Sequence, residues 1–158
     1  MSDFHLDDFL PYRLSVTMNR VSRAFARRYA DEFGLSIAEW RVLAVLGSFQ
    51  PLSSNGVVEK TQMDKAKVSR AVARLLEAGL LRRKVDAADQ RLLALTFTAR
   101  GRRVYEAIVP RARALEAALT QGLGAQDRAL FLALLGRLDA QVRALETPPG
   151  TGRGPAPA

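Results

Sequence analysis

Between Glu59 and Arg91 the chain concentrates groups that donate hydrogen bonds to anions. Nine bases (Lys60, Lys65, Lys67, Arg70, Arg74, Arg82, Arg83, Lys84 and Arg91) stand against five acids (Glu59, Asp64, Glu77, Asp86 and Asp89). That surplus of four is half of the whole chain's formal +8, which is 24 Lys and Arg less 16 Asp and Glu. Lys65, Lys67, Ser69, Arg70 and Arg74 share one short segment, Ser54 precedes it, and Lys84, Asp89 and Arg91 follow it. Arg and Lys donate to guanine edges and phosphates, and Ser serves as donor or acceptor, so the chemistry on offer is recognition of a polyanion. Nucleic acid is favoured over an anionic membrane surface. A charge run alone is also what an ordinary solvated face looks like, so the weight falls on the order of the elements that carry it.

Other chemistries find little support. The chain has no cysteine, which excludes disulfides, thiolate metal sites and thiol redox sensing, and its lone histidine is His5, in an acidic leader with Asp3, Asp7 and Asp8. No nucleophile with its base, no carboxylate pair and no metal-ligand set falls on a common face; Ser53-Ser54 reads as a turn with a helix cap and Asp7-Asp8 as leader. The expectation is no enzyme, no cofactor and no metal. No apolar run approaches the roughly 20 residues of a membrane span, and the first ten residues carry acids where a signal peptide carries bases. A cytoplasmic protein without a membrane role follows.

The elements that must position these groups are mostly helical. Leu10, Leu14, Met18, Val21, Phe25 and Tyr29 recur at spacings of three and four and predict a helix from Leu10 to Phe33, with Pro11 in its first turn and Gly34 as its stop. Arg13, Arg20 and Arg27 make a second stripe with Arg23 beside it, and Ser15, Asn19 and Ser22 a third. Ser36-Ile37-Ala38-Glu39 reads as a capping box, flanked by Leu35 and Trp40 as a hydrophobic staple, so a second helix begins there and runs to Gly47. Gln50 to Ser54, with Pro51, reads as a turn, and a short helix covers about Ser54 to Thr61. Asp64 caps a fourth helix with Val68, Val72, Leu75 and Leu76 as its buried stripe and Gly79 as its stop. Leu80 to Val85 and Leu92 to Thr98 are strand-like around a charged tip. A fifth helix follows Thr98, bent at Pro110; a sixth spans about Ala125 to Glu146 with a strongly apolar face, and Thr147 to Ala158 reads as a disordered tail.

A short helix, a turn, a capped helix rich in Lys, Ser and Arg, and then a basic hairpin is the order of a winged helix-turn-helix. On these residues the chain resembles the MarR family of winged-helix transcriptional regulators, from about Phe9 to Leu145. The matching stretches are Leu35 to Leu43, then Met63 to Val72 with Leu75 and Gly79, then Asp89-Gln90-Arg91 followed by Leu95, Phe97, Thr98 and Gly101. The fold implied is mainly α with a small β-hairpin wing. Residues 1–34 form a leader and dimerisation helix, 35–100 a winged helix-turn-helix lobe, 101–146 C-terminal dimerisation helices, and 147–158 a tail.

The resemblance implies a homodimer that places its two fourth helices in successive major grooves of a pseudo-palindromic operator in double-stranded DNA. It implies that Arg91 enters the minor groove, oriented by Asp89, and that Ser69 and Arg70 face DNA; Ser54, Lys65, Lys67, Arg74 and Lys84 complete the expected DNA-contacting set. Family members commonly repress transcription and release DNA on binding an aromatic acid, a phenolic compound or a coenzyme A thioester. The corresponding pocket would use Arg13, Ser15, Asn19, Trp40 and Arg41, although Trp40 also fits a packed staple and the arginine stripe also fits a solvated face. A constitutive architectural DNA-binding protein without an effector is the alternative.

Overall fold

The computed structural model describes residues 4–85 and 93–146. A single 3-10 turn, Leu6–Asp8, precedes α1 (Leu10–Phe33), α2 (Ile37–Phe49), β1 (Leu52–Ser53), α3 (Ser54–Thr61), α4 (Lys65–Glu77), β2 (Leu81–Val85), β3 (Leu93–Phe97), α5 (Ala99–Leu119) and α6 (Ala125–Glu146). The chain forms two compact units, residues 1–115 and 116–158, with the boundary inside α5.

Local signals set most of the first unit's boundaries. Gly34 ends α1 in the left-handed region at φ 63°, where a residue without Cβ adopts the conformation at no steric cost. The capping box then starts α2: the Glu39 amide donates to Ser36 Oγ at 3.3 Å and the Ser36 amide to Glu39 Oε2 at 2.7 Å. Ser53 caps α3, its Oγ accepting from the Gly56 amide at 3.1 Å, and Asp64 caps α4 through the Lys67 amide at 3.0 Å. Val68, Val72 and Leu75 are buried as their spacing predicts, with Ala71 beside them and Leu76 only half-buried.

Tertiary contacts move two of the expected boundaries. α2 does not stop at Gly47 but continues to Phe49; Gly47 lies inside the helix and makes room for the Tyr105 ring of α5, since a Cβ there would stand 2.2 Å from Tyr105 Cζ. Part of the expected turn before α3 is a strand. β1 pairs with β3 through Leu52↔Leu95 and Ser53↔Ala94, giving a three-stranded antiparallel sheet in the order β1-β3-β2 rather than a bare hairpin. α5 runs through Pro110 without a break in its assigned span.

The core lies where α2, α3 and α4 meet the sheet, with Val42, Leu43, Leu46, Val57, Val72 and Leu95 among its most buried members and Ile108 entering from α5. The base of the β2–β3 hairpin is tied to the ends of α4 and α5. Thr98 Oγ1 donates to the Gly79 carbonyl at 2.7 Å and accepts from the Gly101 amide at 3.0 Å, while Arg100 Nη1 donates to the Ala78 carbonyl at 3.0 Å. Gly101 makes this closure sterically feasible, since a Cβ there would fall 1.8 Å from the Leu80 carbonyl oxygen.

The second unit is simpler. α6 buries none of its residues and leaves Leu130, Phe131, Leu132, Leu134 and Leu145 exposed. Arg128 pairs with Glu116, and Arg143 with Asp139 one turn away at 2.6 Å.

Gly101→Ala should destabilise the protein by about 1–3 kcal/mol, a Tm drop of roughly 3–10 °C, because its obstacle is backbone and cannot rotate away. Gly122→Ala, with nothing within 4 Å of the new methyl, should stay within about 0.5 kcal/mol of the parent. Thermal denaturation of both variants checks the pair, and equal Tm values would contradict the close approach at Gly101.

Candidate nucleic-acid interface

At about 100° per residue, α4 turns Val68, Ala71, Val72 and Leu75 inward, and its outward arc is centred on Ala66, Ala73, Arg70 and, in the last turn, Glu77. Ser69 and Lys65 flank that arc on one side, Lys67 and Arg74 on the other, and all four are exposed, as are Arg70 and Glu77. Ala66 and Ala73 carry too little side chain to hold a groove wall away, so the longer Lys and Arg side chains project past them. Asp64 at the N-cap and Arg74 in the last turn complement the helix dipole at its two ends.

The neighbouring elements add positive charge. Lys67, Arg70 and Arg74 border a groove whose other wall is the start of α2, Ser36 to Glu39. Arg74 Nη1 stands 3.9 Å from Glu39 Oε1. On the wing, β2 buries only Leu81 and exposes Arg82 to Val85. Lys84 lies opposite Ala94, and Arg82 Nε donates to Thr96 Oγ1 across the pair at 3.3 Å. Arg82 and Arg83, counted in the sequence among the nine bases but not in the expected DNA-contacting set, are exposed with Lys84, and the pleat puts Arg82 and Lys84 on one face of the strand and Arg83 on the other. Ser54 is the exposed first residue of α3, while the capping itself falls to Ser53. Asp89 and Arg91 lie outside the described residues.

The expected small-molecule residues are only partly brought together. Trp40 is half-buried in a run of rings: its centroid is 5.1 Å from Tyr29 and 6.2 Å from Tyr105, and the run extends to Phe25 at 5.9 Å from Tyr29 and Phe97 at 5.3 Å from Tyr105. Arg41, also half-buried, donates from Nη2 to Ser22 Oγ at 3.4 Å. Arg13, Ser15 and Asn19 are exposed on α1, nearer its N-terminus than Ser22. Tyr29 is the residue that the sequence did not single out: its hydroxyl is buried without a hydrogen-bond partner among the described residues, and its desolvation pushes the phenol pKa up. In sequence it reads only as one more member of an apolar stripe.

Among the described residues no group of three or more His, Cys, Asp or Glu is placed to hold a metal ion, and no helix is long and apolar enough to cross a membrane. What the arrangement can do is present donors to an anionic, grooved surface.

Comparison with known proteins agrees in kind. Residues 33–92 match the model of the MarR family. The chain is 31% identical over 105 residues to the HTH-type transcriptional regulator TcaR of Staphylococcus aureus, spanning 62% of this chain and 67% of TcaR. A MarR-family transcriptional regulator from Silicibacter pomeroyi superposes with a TM-score of 0.76 at 32% identity, over 90% of this chain and 95% of that one. BpsR of Bordetella bronchiseptica, whose DNA binding is regulated by 6-hydroxynicotinic acid, superposes with a TM-score of 0.77 at 28% identity, over 87% and 98% of the two chains. With an outward-facing basic fourth helix, a three-stranded wing and these relatives, the chain belongs to the MarR family of transcriptional regulators.

Proposed function

We propose that the chain is a cytoplasmic repressor that binds a pseudo-palindromic operator as a homodimer and is released by a small aromatic acid, a phenolic compound or the coenzyme A thioester of such an acid. The observation that carries the reading is α4, whose buried stripe fixes Lys65, Lys67, Ser69, Arg70 and Arg74 on its solvent side. In this reading Ser69 and Arg70 read base edges, Lys65, Lys67 and Arg74 hold phosphates, Ser54 anchors the start of α3, and Lys84 with Arg91 and Asp89 serves the wing. Two-fold symmetry sets the half-sites about one helical turn, 10 to 10.5 base pairs, apart.

The exposed apolar face of α6 supports dimerisation, since a contiguous surface of Leu130, Phe131, Leu134 and their neighbours is costly to leave in water and a second copy supplies a matching one. The regulation of BpsR by 6-hydroxynicotinic acid supports an aromatic acid as effector here. In this chain the half-buried rings of Trp40 and Tyr105 offer stacking surface, Arg41 offers a cation for a carboxylate, and the buried, unpartnered Tyr29 hydroxyl beside Trp40 offers a hydrogen bond. The concavity lined by Arg20, Arg23, Arg27 and Arg28 would suit the phosphates of a thioester. Release then follows from linkage: an effector that prefers the conformation with misplaced reading helices lowers DNA affinity by the factor by which DNA lowers its own.

Titration of a fluorescent duplex from the chain's own upstream region, with a random duplex as control, tests the reading. Arg70→Ala should cost about 1–3 kcal/mol on the specific duplex and much less on the random one; equal losses would make Arg70 a phosphate contact. Arg91→Ala should weaken binding to both without lowering Tm, and unchanged binding at physiological salt would remove the wing from the interface. Tyr29→Phe should leave the unfolding free energy within about 1 kcal/mol of the parent or raise it, because the lost hydroxyl had no partner to lose. The same variant should need more 6-hydroxynicotinic acid, or of whichever related aromatic acid proves active, to release DNA. An unaltered response would exclude the hydroxyl from effector binding.

A further inference from the structure

Glu39 is the buried charged residue of the described core, only 6% exposed, yet the capping box does not require that burial. A glutamate at that position needs one carboxylate oxygen for the Ser36 amide, and the rest of the group is free to sit in water. Here the second oxygen, Oε1, is turned toward α4 and stands 3.9 Å from Arg74 Nη1. The two partners are unequal: the Glu39 side chain is 7% exposed and that of Arg74 73%. One end of the pair is fixed by backbone and packing while the other retains most of its donors facing solvent.

We propose that Glu39 is a positioning residue for DNA binding: it holds the Arg74 guanidinium at the seam between α2 and α4, so that the remaining donors meet a backbone phosphate beside the reading helix. This inference rests on the DNA-binding role of α4. Three features support it. Lys67, Arg70 and Arg74, at i, i+3 and i+7, line the same groove as Glu39, so Arg74 belongs to the basic flank of α4 rather than to a separate surface. At 3.9 Å the contact is an ion pair beyond hydrogen-bond distance; arginine's five donors lie in a planar fork, so the edge turned away from Glu39 is open to a second anion. A pair with one partner in solvent adds little to folding stability, so its main consequence is where the guanidinium sits.

Electrostatics alone makes the opposite prediction, which renders the idea sharp. If Glu39 merely adds negative charge to a basic face, neutralising it must tighten DNA binding. If it positions Arg74, neutralising it must loosen binding, and only while Arg74 is present.

Glu39→Gln is the suitable variant, since an amide oxygen still accepts from the Ser36 amide and preserves the cap. Binding of the full chain to the upstream-region duplex and to a random duplex should weaken by about three- to tenfold on both, and Glu39→Gln added to Arg74→Ala should change affinity by less than about twofold. Arg74→Ala itself should flatten the slope of log affinity against log salt by about 0.9, the mark of one lost phosphate. Tighter or unchanged binding by Glu39→Gln, or an equal loss in the Arg74→Ala background, would overturn the proposal. Should Glu39→Gln fail to fold by Tm, Arg74→Lys decides: it keeps the charge without the fork, so a loss near that of Arg74→Ala supports positioning and parental affinity opposes it. Arg70→Ala separates this failure from a wider one. If it too leaves binding unchanged, the DNA role of α4 is wrong; if it weakens binding while Glu39→Gln does not, only the positioning role falls.

Discussion

The burial of one face of α4 is the constraint on which the functional surface depends. Val68, Ala71, Val72 and Leu75 are each no more than 4% exposed, and complete burial of a valine or leucine contributes about 1.5–3 kcal/mol. The ion pair available to the same helix, Arg74 with Glu39, is an interaction of a class that contributes under about 1 kcal/mol when one partner is solvated. Packing therefore sets the rotation of α4, and the charged residues take the outward positions that remain. The basic face follows from hydrophobic burial, and the ion pair then adjusts one guanidinium within it.

The same logic extends outward from α4. Its C-terminal end meets the hairpin and α5 through Gly79, Leu80, Thr98 and Gly101, so the wing's base and the reading helix share one set of hydrogen bonds. On the other side, the rings of Phe25, Tyr29, Trp40, Tyr105 and Phe97 run from α1 through α2 to α5 and β3. Gly47 leaves the space that Tyr105 fills. Close-packed rings cannot move singly without opening a void or a clash, so a displacement at Trp40 is felt at Phe97, the last residue of the wing strand.

How much of this was legible in the sequence depends on whether the determining partner is near in the chain. The stops at Gly34 and Gly79, the capping box at Ser36 and Glu39, the Asp64 cap and the inward stripe of α4 are local features, and the sequence identifies each. β1 is two residues long and exists only because β3 offers an edge to Leu52 and Ser53 some forty positions later, so no periodicity announces it. Gly47 makes room for Tyr105, a distant residue, from within α2, where a local rule predicts a stop. Ser54, Lys65, Lys67, Ser69, Arg70, Arg74 and Lys84 are expected DNA contacts through the family resemblance, and their exposure is compatible with that role, whereas the burial of Glu39 and the isolation of the Tyr29 hydroxyl are tertiary facts with no local trace. Of the expected ligand residues, Trp40 and Arg41 lie in the packed interface of α1 and α2, while Arg13, Ser15 and Asn19 do not, because a stripe on a 24-residue helix is longer than the neighbour it packs against.

A net charge of +8 gives affinity for any DNA, and that affinity is sequence-independent and falls steeply with salt. Selectivity has to come from the few groups that meet base edges, and α4 limits how many those are. Its outward arc gives positions to Ala66, Ala73 and Glu77, which donate no side-chain hydrogen bond, and leaves Arg70 the cation nearest the centre of that arc. Lys67 and Arg74, on the flank nearest α2, and Lys65 and Ser69, on the opposite flank, stand away from that centre. Side chains of similar chemistry therefore meet a grooved anion at different angles, set by how far the buried stripe turns each from the centre of the exposed arc.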